Sequence, residues 1–304
     1  MSTENGAQAS TGHDTDEKQW REPASRSQWR TGWRTLRRNP VAVLGLTGLL
    51  LLILVTILAP WIAPYEPTKQ NYDRLLEPPS GAHLFGTDDL GRDILSRVVW
   101  GGRESLRVGM LGIAIGMGGG VIVGLVSGYY GGLLDSFIMR LVDIFLAFPT
   151  ILLLLSIVAA LGPSLTTVLV ALGISSVPGY SRLVRGSVLS AKNFEYITAA
   201  RVIGAKHRRI MFRHILPNIV APIIIYSTLG LGSAILLTAG LSYIGLGAQP
   251  PSPEWGAMLN YGRPYVRSAW WMSIFPGVAI FLAVLSINLL GDGLRDALDP
   301  KLRV

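Results

Sequence analysis

Val41-Ala-Val-Leu-Gly-Leu-Thr-Gly-Leu-Leu-Leu-Leu-Ile-Leu-Val-Thr-Ile-Leu-Ala-Pro-Trp-Ile-Ala63 carries no charged side chain from end to end. A helix rises about 1.5 Å per residue, so a hydrocarbon core about 30 Å thick takes about 20 apolar residues to cross. This stretch meets that length and ends at Pro60, Trp61 and Pro64, an aromatic and helix-ending boundary. Five further runs follow: Leu106 to Gly128, Met139 to Leu161, Leu165 to about Val184, Asn218 to Leu246 and Trp271 to Leu290. The fourth is the least uniform, because Gly173, Pro178 and Gly179 interrupt it. The pattern predicts an all-α integral membrane protein with six transmembrane helices.

Composition agrees. Of 304 residues, 50% are hydrophobic and only 15% charged, against about a quarter charged in soluble domains. A net charge of +8 would suit nucleic acid, but the basic residues sit at the edges of apolar runs, where cytoplasmic membrane flanks place them. No cysteine occurs, which excludes disulfides, a thiolate nucleophile and cysteine-ligated metals. The stretch 1–28 is polar, lacks the apolar core of a signal peptide, and reads as a disordered cytoplasmic tail. Residues 29–40 follow, with Trp29, Trp33 and Leu36 at helical spacing among arginines. They suit a short amphipathic helix on the membrane surface, and an orientation anchor needs nothing more.

Orientation comes from Lys and Arg in the short loops. The N-terminal flank is basic, and so is the segment from Arg182 to Arg213, whereas the loop at 162–164 is uncharged. Both termini, including 293–304 with Arg295, Lys301 and Arg303, are then expected in the cytoplasm. The division that follows is a first span at 41–63, an extracytoplasmic loop at 64–104, and a core at 105–292 holding five spans and a cytoplasmic loop at 191–217.

That cytoplasmic loop is the most informative stretch: Tyr196-Ile-Thr-Ala-Ala-Arg-Val-Ile-Gly204-Ala-Lys-His-Arg-Arg-Ile-Met-Phe-Arg-His214-Ile-Leu216-Pro217-Asn218. It reads as two short helices meeting at Gly204, where a side chain would obstruct a sharp turn. The first exposes Ala199 and Ala200, small enough for another protein's backbone to approach. Pro217 sits where the next span begins, a tolerated place for proline. A basic helix pair held on the membrane surface reads as a docking knob, with a lipid-facing basic loop as the lesser alternative from charge alone.

The Ala-Ala pair, Gly204 and Leu216-Pro217 match the signature of bacterial ABC importer permeases, and the chain resembles that family over nearly everything after Gln28. Two further stretches, Phe85-Gly86-Thr87-Asp88-Asp89-Leu90-Gly91-Arg92-Asp93 on through Ser96-Arg97 and Gly102-Arg103-Glu104-Ser105-Leu106, and Leu241-Ser-Tyr-Ile-Gly-Leu-Gly-Ala-Gln-Pro-Pro251 with Glu254-Trp255-Gly256, are similar to the C-type subunit of dipeptide/oligopeptide/nickel importers. The resemblance implies the type I importer permease fold in a bacterial inner membrane. It implies as partners a homologous second permease subunit, two cytoplasmic ATPase subunits and an extracytoplasmic solute-binding protein. The loop becomes the coupling helix seated on the ATPase, with Thr198, Ala199, Ala200, Gly204, His214, Leu216 and Pro217 as its positions. The family's usual first residue there is Glu, where this chain has Thr198. Glu195, one turn earlier, is expected to supply the charged contact. ATP and Mg belong to the partner ATPases. The solute is expected to be a peptide, with nickel or glutathione-like compounds as alternatives.

The spans themselves offer packing. Gly112, Gly116, Gly120, Gly124, Gly128 and Gly132 recur every four residues and line one helix face for close approach. That face is either a static seam or a smooth surface along which helices shift. Arg140 and Asp143, three apart in the third span, are a candidate gate or ion pair. They also suit a self-neutralising pair or side chains at headgroup depth. Asn288 and Asp292 near the end of the sixth span invite the same two readings. The chain has no phosphate-binding Gly-x-x-x-x-Gly-Lys-Ser/Thr loop and neither a catalytic triad nor zinc-type histidine spacing among its 4 histidines. An enzyme is therefore not expected. A secondary transporter or channel would need coupling carboxylates deep in the spans, and a membrane-anchored scaffold would leave the glycines unexplained.

Overall fold

The computed structural model of the protein describes residues 33–298; the tail at 1–28, Trp29 and residues 299–304 lie outside them. Residues 33–38 are helical. Helix α1 (Pro40–Ile57) then starts under a side-chain cap, Val41 N and Ala42 N donating to Asn39 Oδ1 at 3.0 and 3.3 Å, with Pro40 at its first position. An acceptor at the N-cap and a proline just inside are what a helix start requires. A single turn, Ala59–Ile62, closes the first span.

Helix α2 (Ile94–Tyr130) begins well before the apolar run. Asp93 caps it by accepting from Ser96 N at 2.7 Å, so the expected loop at 64–104 ends at residue 93. Its 37 residues reach about 55 Å at 1.5 Å per residue, well beyond one bilayer core.

The third run is not one straight helix. Helix α3 (Gly132–Ala147) and helix α4 (Thr150–Leu161) meet at an 88° bend. Phe148-Pro149 is the cause: Pro149 brings no N–H, and the residue before a proline is pushed into extended backbone, as Phe148 is with ψ 135°. The fourth run corrects the opposite way. Helix α5 (Leu165–Ala191) continues through Gly173, Pro178 and Gly179 without a break and outlasts Val184. Helix α6 (Glu195–Val202) follows, a second helical piece of α, π and 3-10 turns runs over His207–Asn218, and helix α7 (Val220–Tyr243) forms the fifth span. Helix α8 (Trp255–Gly262) lies between spans, and helix α9 (Trp271–Leu298) forms the last. It runs past Leu290 because Leu294 and Ala297 have an apolar neighbour in Leu36. Leu36 is thus packed on protein, correcting the expectation that it faces the membrane, and Asn39 Nδ2 donates to Asp296 Oδ2 at 3.5 Å across the same contact.

Five helices among the described residues are long and apolar enough to span a membrane, and the bent pair, taken as one broken span, brings the number to six. No strand is present among the described residues. Helices α2 and α5 run parallel and touch along most of their length, while α9 packs antiparallel on both α1 and α7. Following the chain through these contacts puts residues 33–39, 130–132, 191–219 and the end of α9 at one end of the bundle. Residues 58–93, 162–164 and 244–270 lie at the other. Arg34, Arg37, Arg38, Lys192, Arg201, Lys206, Arg208, Arg209, Arg213 and Arg295 belong to the first, here called the basic end.

Candidate functional site

At the basic end, α6 stands on an apolar base. Ile197, Ala200, Ile210, Met211, Ile215 and Ile219 are buried with Tyr180, Val184 and Val188 of α5 and Leu125 and Tyr129 of α2. Polar contacts fasten the same patch. The Tyr129 hydroxyl and His207 Nδ1 are 2.7 Å apart, Lys192 Nζ donates to Gly128 O at 3.2 Å, and the Arg201 guanidinium lies 5.7 Å over the Tyr129 ring. Gly204 holds φ +79°, a conformation that favours glycine, so the turn between the two helical pieces depends on it.

The outward face differs from the expected one. Ala200 is buried and only Ala199 of the pair is exposed. The projecting tip is Val202 and Ile203, 82% and 83% exposed. The signal for them was two β-branched apolar residues immediately before a turn glycine in an otherwise basic loop. Glu195 and Thr198 are exposed on the same helix, Pro217 is exposed, and His214 and Leu216 are half-buried. The arrangement is an apolar knob on a loop that also exposes Arg201, Lys206, Arg208, Arg209 and Arg213.

The base leads straight into the bundle along the glycine face of α2. A side chain at Gly112 would meet Leu172, one at Gly116 Ser176, one at Gly120 Tyr180, one at Gly124 Val184 and one at Gly128 Val188. The register steps by four on both helices, with gaps to an added Cβ as small as 2.2 Å at Gly120. Such contact is interlocking, which favours the static seam over the smooth surface. Gly132 does not extend it: it lies past the helix end with open space around it.

Two acid–base contacts tie α3 to α5. Asp135 accepts from Arg185 Nε and Nη2, both at 2.6 Å, and from the Ser127 hydroxyl of α2. Asp143 accepts from Arg182 Nη2 at 2.5 Å. The expected Arg140–Asp143 pair is therefore replaced by a pair between helices, and Arg140 is exposed. Asn288 stands beside Gly232 of α7, and Asp292 is exposed one turn on.

The far end holds a second built cluster. Asp88 accepts from Leu90 N and Arg92 N at 2.9 Å each and from Arg92 Nε at 2.6 Å. Arg97, 1% exposed, donates to Pro67 O at 3.0 Å and Ser252 O at 3.3 Å. Trp255 Nε1 donates to Val98 O at 2.8 Å, and Trp271 Nε1 to Thr87 O at 3.0 Å. The two stretches that carried the subfamily resemblance thus clasp each other. Glu254 is fully buried beneath them, capping α8 at Ala257 N (2.9 Å) and accepting from the Ser105 hydroxyl at 3.1 Å. Burial pushes its carboxyl above the ordinary range, although those hydrogen bonds pull the other way. No group of metal-ligating side chains occurs among the described residues.

The architecture is that of a membrane-embedded bundle with a knob at one end, and comparison with known proteins fits it. Residues 120–304 match the family described as binding-protein-dependent transport system inner membrane component. The chain belongs to that family. Residues 27–79 also match the N-terminal transmembrane domain of oligopeptide transport permease C. Among curated relatives, the dipeptide transport system permease protein DppC of Escherichia coli (strain K12) is 52% identical over 89% of this chain and 92% of its own length. The di/tripeptide transport system permease protein DppC of Pseudomonas aeruginosa (strain UCBPP-PA14) is 47% identical over 89% and 91%. The glutathione transport system permease protein GsiD of Pectobacterium atrosepticum is 48% identical over 93% and 94%. A chain of the MetNI methionine ABC transporter in an inward-facing conformation shares the fold, with TM-score 0.55, 21% identity, and coverage of 67% of this chain and 97% of that one. The permease is accordingly an inner membrane transport component with the type I ABC importer permease fold.

Proposed function

We propose that this permease is one half of the translocation channel of an ATP-driven importer for short peptides, and that its basic end faces the cytoplasm with both chain termini. The observation that carries the reading is the Val202–Ile203 tip, an exposed apolar knob on a basic loop with a buried apolar base. Apolar side chains in water at the end of a membrane protein mark a partner's seat. A separate ATPase subunit fits, because this chain has no phosphate loop of its own. The excess of Lys and Arg at this end supports its placement inside.

In this reading ATP closes a pair of ATPase subunits, and α6 passes the movement to α2 and α5 through the shared apolar cluster. A homologous second permease completes the channel, and an extracytoplasmic binding protein delivers solute to the far end. Peptides lead because relatives at 52% and 47% identity are dipeptide and di/tripeptide permeases. The relative at 48% identity that carries glutathione favours a second reading, a γ-glutamyl tripeptide.

Affinity-tagged permease, extracted gently from its native membrane, should bring two ATPase polypeptides and a second permease with it. Vesicles containing that complex and its binding protein should take up labelled dipeptide only with hydrolysable ATP. Uptake that proceeds on an ion gradient alone sinks the importer reading. Competition by glutathione but not by dipeptides selects the second solute.

A further inference from the structure

Midway along the bundle, a cleft of about 370 Å³ opens between the bend at Phe148-Pro149, the middle of α5 and the middle of α7. Its lining holds no acid, no base and no histidine, but six hydroxyls: Thr150, Ser175, Ser176, Tyr180, Tyr226 and Ser233. Three are spent within the protein. Ser175 and Ser176 donate to Leu172 O at 3.2 and 2.7 Å, and Tyr180 donates to Ser227 Oγ at 2.9 Å. Among the described residues nothing hydrogen-bonds the other three, Thr150, Tyr226 and Ser233, and all three are exposed into the cleft.

A hydroxyl left without a partner in hydrocarbon costs several kcal/mol in round terms. Three that converge on one concave site at mid-depth therefore call for a polar occupant. The seat of Tyr226 is also built. Its ring stands edge-on to Tyr180 at 4.8 Å, and its hydroxyl occupies the space beside Gly179, where an added Cβ would lie 2.5 Å from Tyr226 Oη.

We propose that this cleft is where the permease touches its solute in transit, and that Thr150, Tyr226 and Ser233 read neutral amide groups of a peptide backbone while Tyr226, seated on Gly179, sets the width of the passage. The inference rests on the importer reading above and narrows it. A lining without formal charge is indifferent to the charge of the peptide's side chains, and hydroxyls serve amide N–H and C=O alike. Selection at this depth is then by backbone and by size.

The test uses the complete reconstituted importer with its binding protein saturating, so that differences arise in the channel. Tyr226→Phe and Ser233→Ala should each lower dipeptide uptake about three- to tenfold, the kinetic equivalent of one neutral hydrogen bond. ATPase activity and subunit association should stay unchanged, so fewer peptides cross per ATP. Gly179→Ala, which removes no hydroxyl but displaces Tyr226, should reproduce the effect. Tyr226→Ala should raise the ratio of tetrapeptide to dipeptide uptake, a readout that a packing defect would not move in that direction. If all four variants transport like wild type with the same length ratio, lipid or the second permease covers the cleft and the proposal is overturned. Failure of the wild-type complex to take up any peptide would strike the importer reading instead.

Discussion

Glu254 sits where a charge is unfavourable: fully buried, held by its helix cap and by the hydroxyls of Ser105 and Ser242. Because its folded carboxyl is raised by burial, the folded state holds this proton more tightly than the unfolded chain does. Its stabilising contribution is complete below the ordinary glutamate range and fades as pH climbs through the raised value. The melting temperature of detergent-solubilised protein should therefore rise on acidification from neutral pH toward the ordinary glutamate range. Glu254→Gln should flatten that rise, and an unchanged slope in the variant would refute the assignment. Glycines make a second residue-scale contrast. Gly120→Leu forces a side chain into Tyr180 and Val177 O and should cost about 3 kcal/mol or more through overpacking, read as lost folded protein on size exclusion. Gly118→Ala, with nothing within 4 Å, should express and melt like wild type. The glycine face was legible beforehand because a spacing of four survives any detail of packing. Ala200 was not, because which side of a two-turn helix is covered depends on the cluster it joins, Ile210 from the next helical piece and Val184 from α5, which only folding assembles.

At the scale of helices, the apolar runs were legible in place but not in shape. Hydropathy counts apolar residues; it does not sense that Asp93 caps α2 far outside the apolar run. Nor does it sense that one proline breaks a helix at Phe148-Pro149 while Pro178 is carried inside α5. The difference lies in support. α5 is gripped along α2 on both sides of Pro178, whereas the chain around Pro149 is exposed. The bend leaves α3 held to α5 by Asp135–Arg185 and Asp143–Arg182, and the two pairs should not weigh equally. The first is bidentate with side chains 12% and 33% exposed; the second is single and 55% and 59% exposed. Arg185→Ala should destabilise by about 2 kcal/mol, below the 3–5 typical when a fully buried pair is broken. Asp143→Asn should stay under about 1 kcal/mol. Denaturation of both variants in the same detergent checks the order, and equal losses would contradict it.

For the molecule as a whole, the division into two ends follows from helix directions, and the basic residues mark one of them. An apolar knob on that end needs only two residues to be disabled. Val202→Asp with Ile203→Asp should abolish ATPase recovery in a pull-down while the membrane-inserted permease and its melting curve persist, since neither side chain belongs to the core. Retained ATPase would place the seat elsewhere on the loop, and exposed Glu195 and Thr198 would be the next positions to change. The seam between α2 and α5 has a mechanical consequence. Two helices interlocked turn by turn resist bending and slipping, so they behave as a single strut. Its foot is the platform under α6, and its head is the clasp of Asp88, Arg97 and Trp255. A push of an ångström delivered at the foot is then felt at the head without being absorbed along the way. In the importer proposed above, the two mouths of the passage would then be geared together by a rod rather than by a relay.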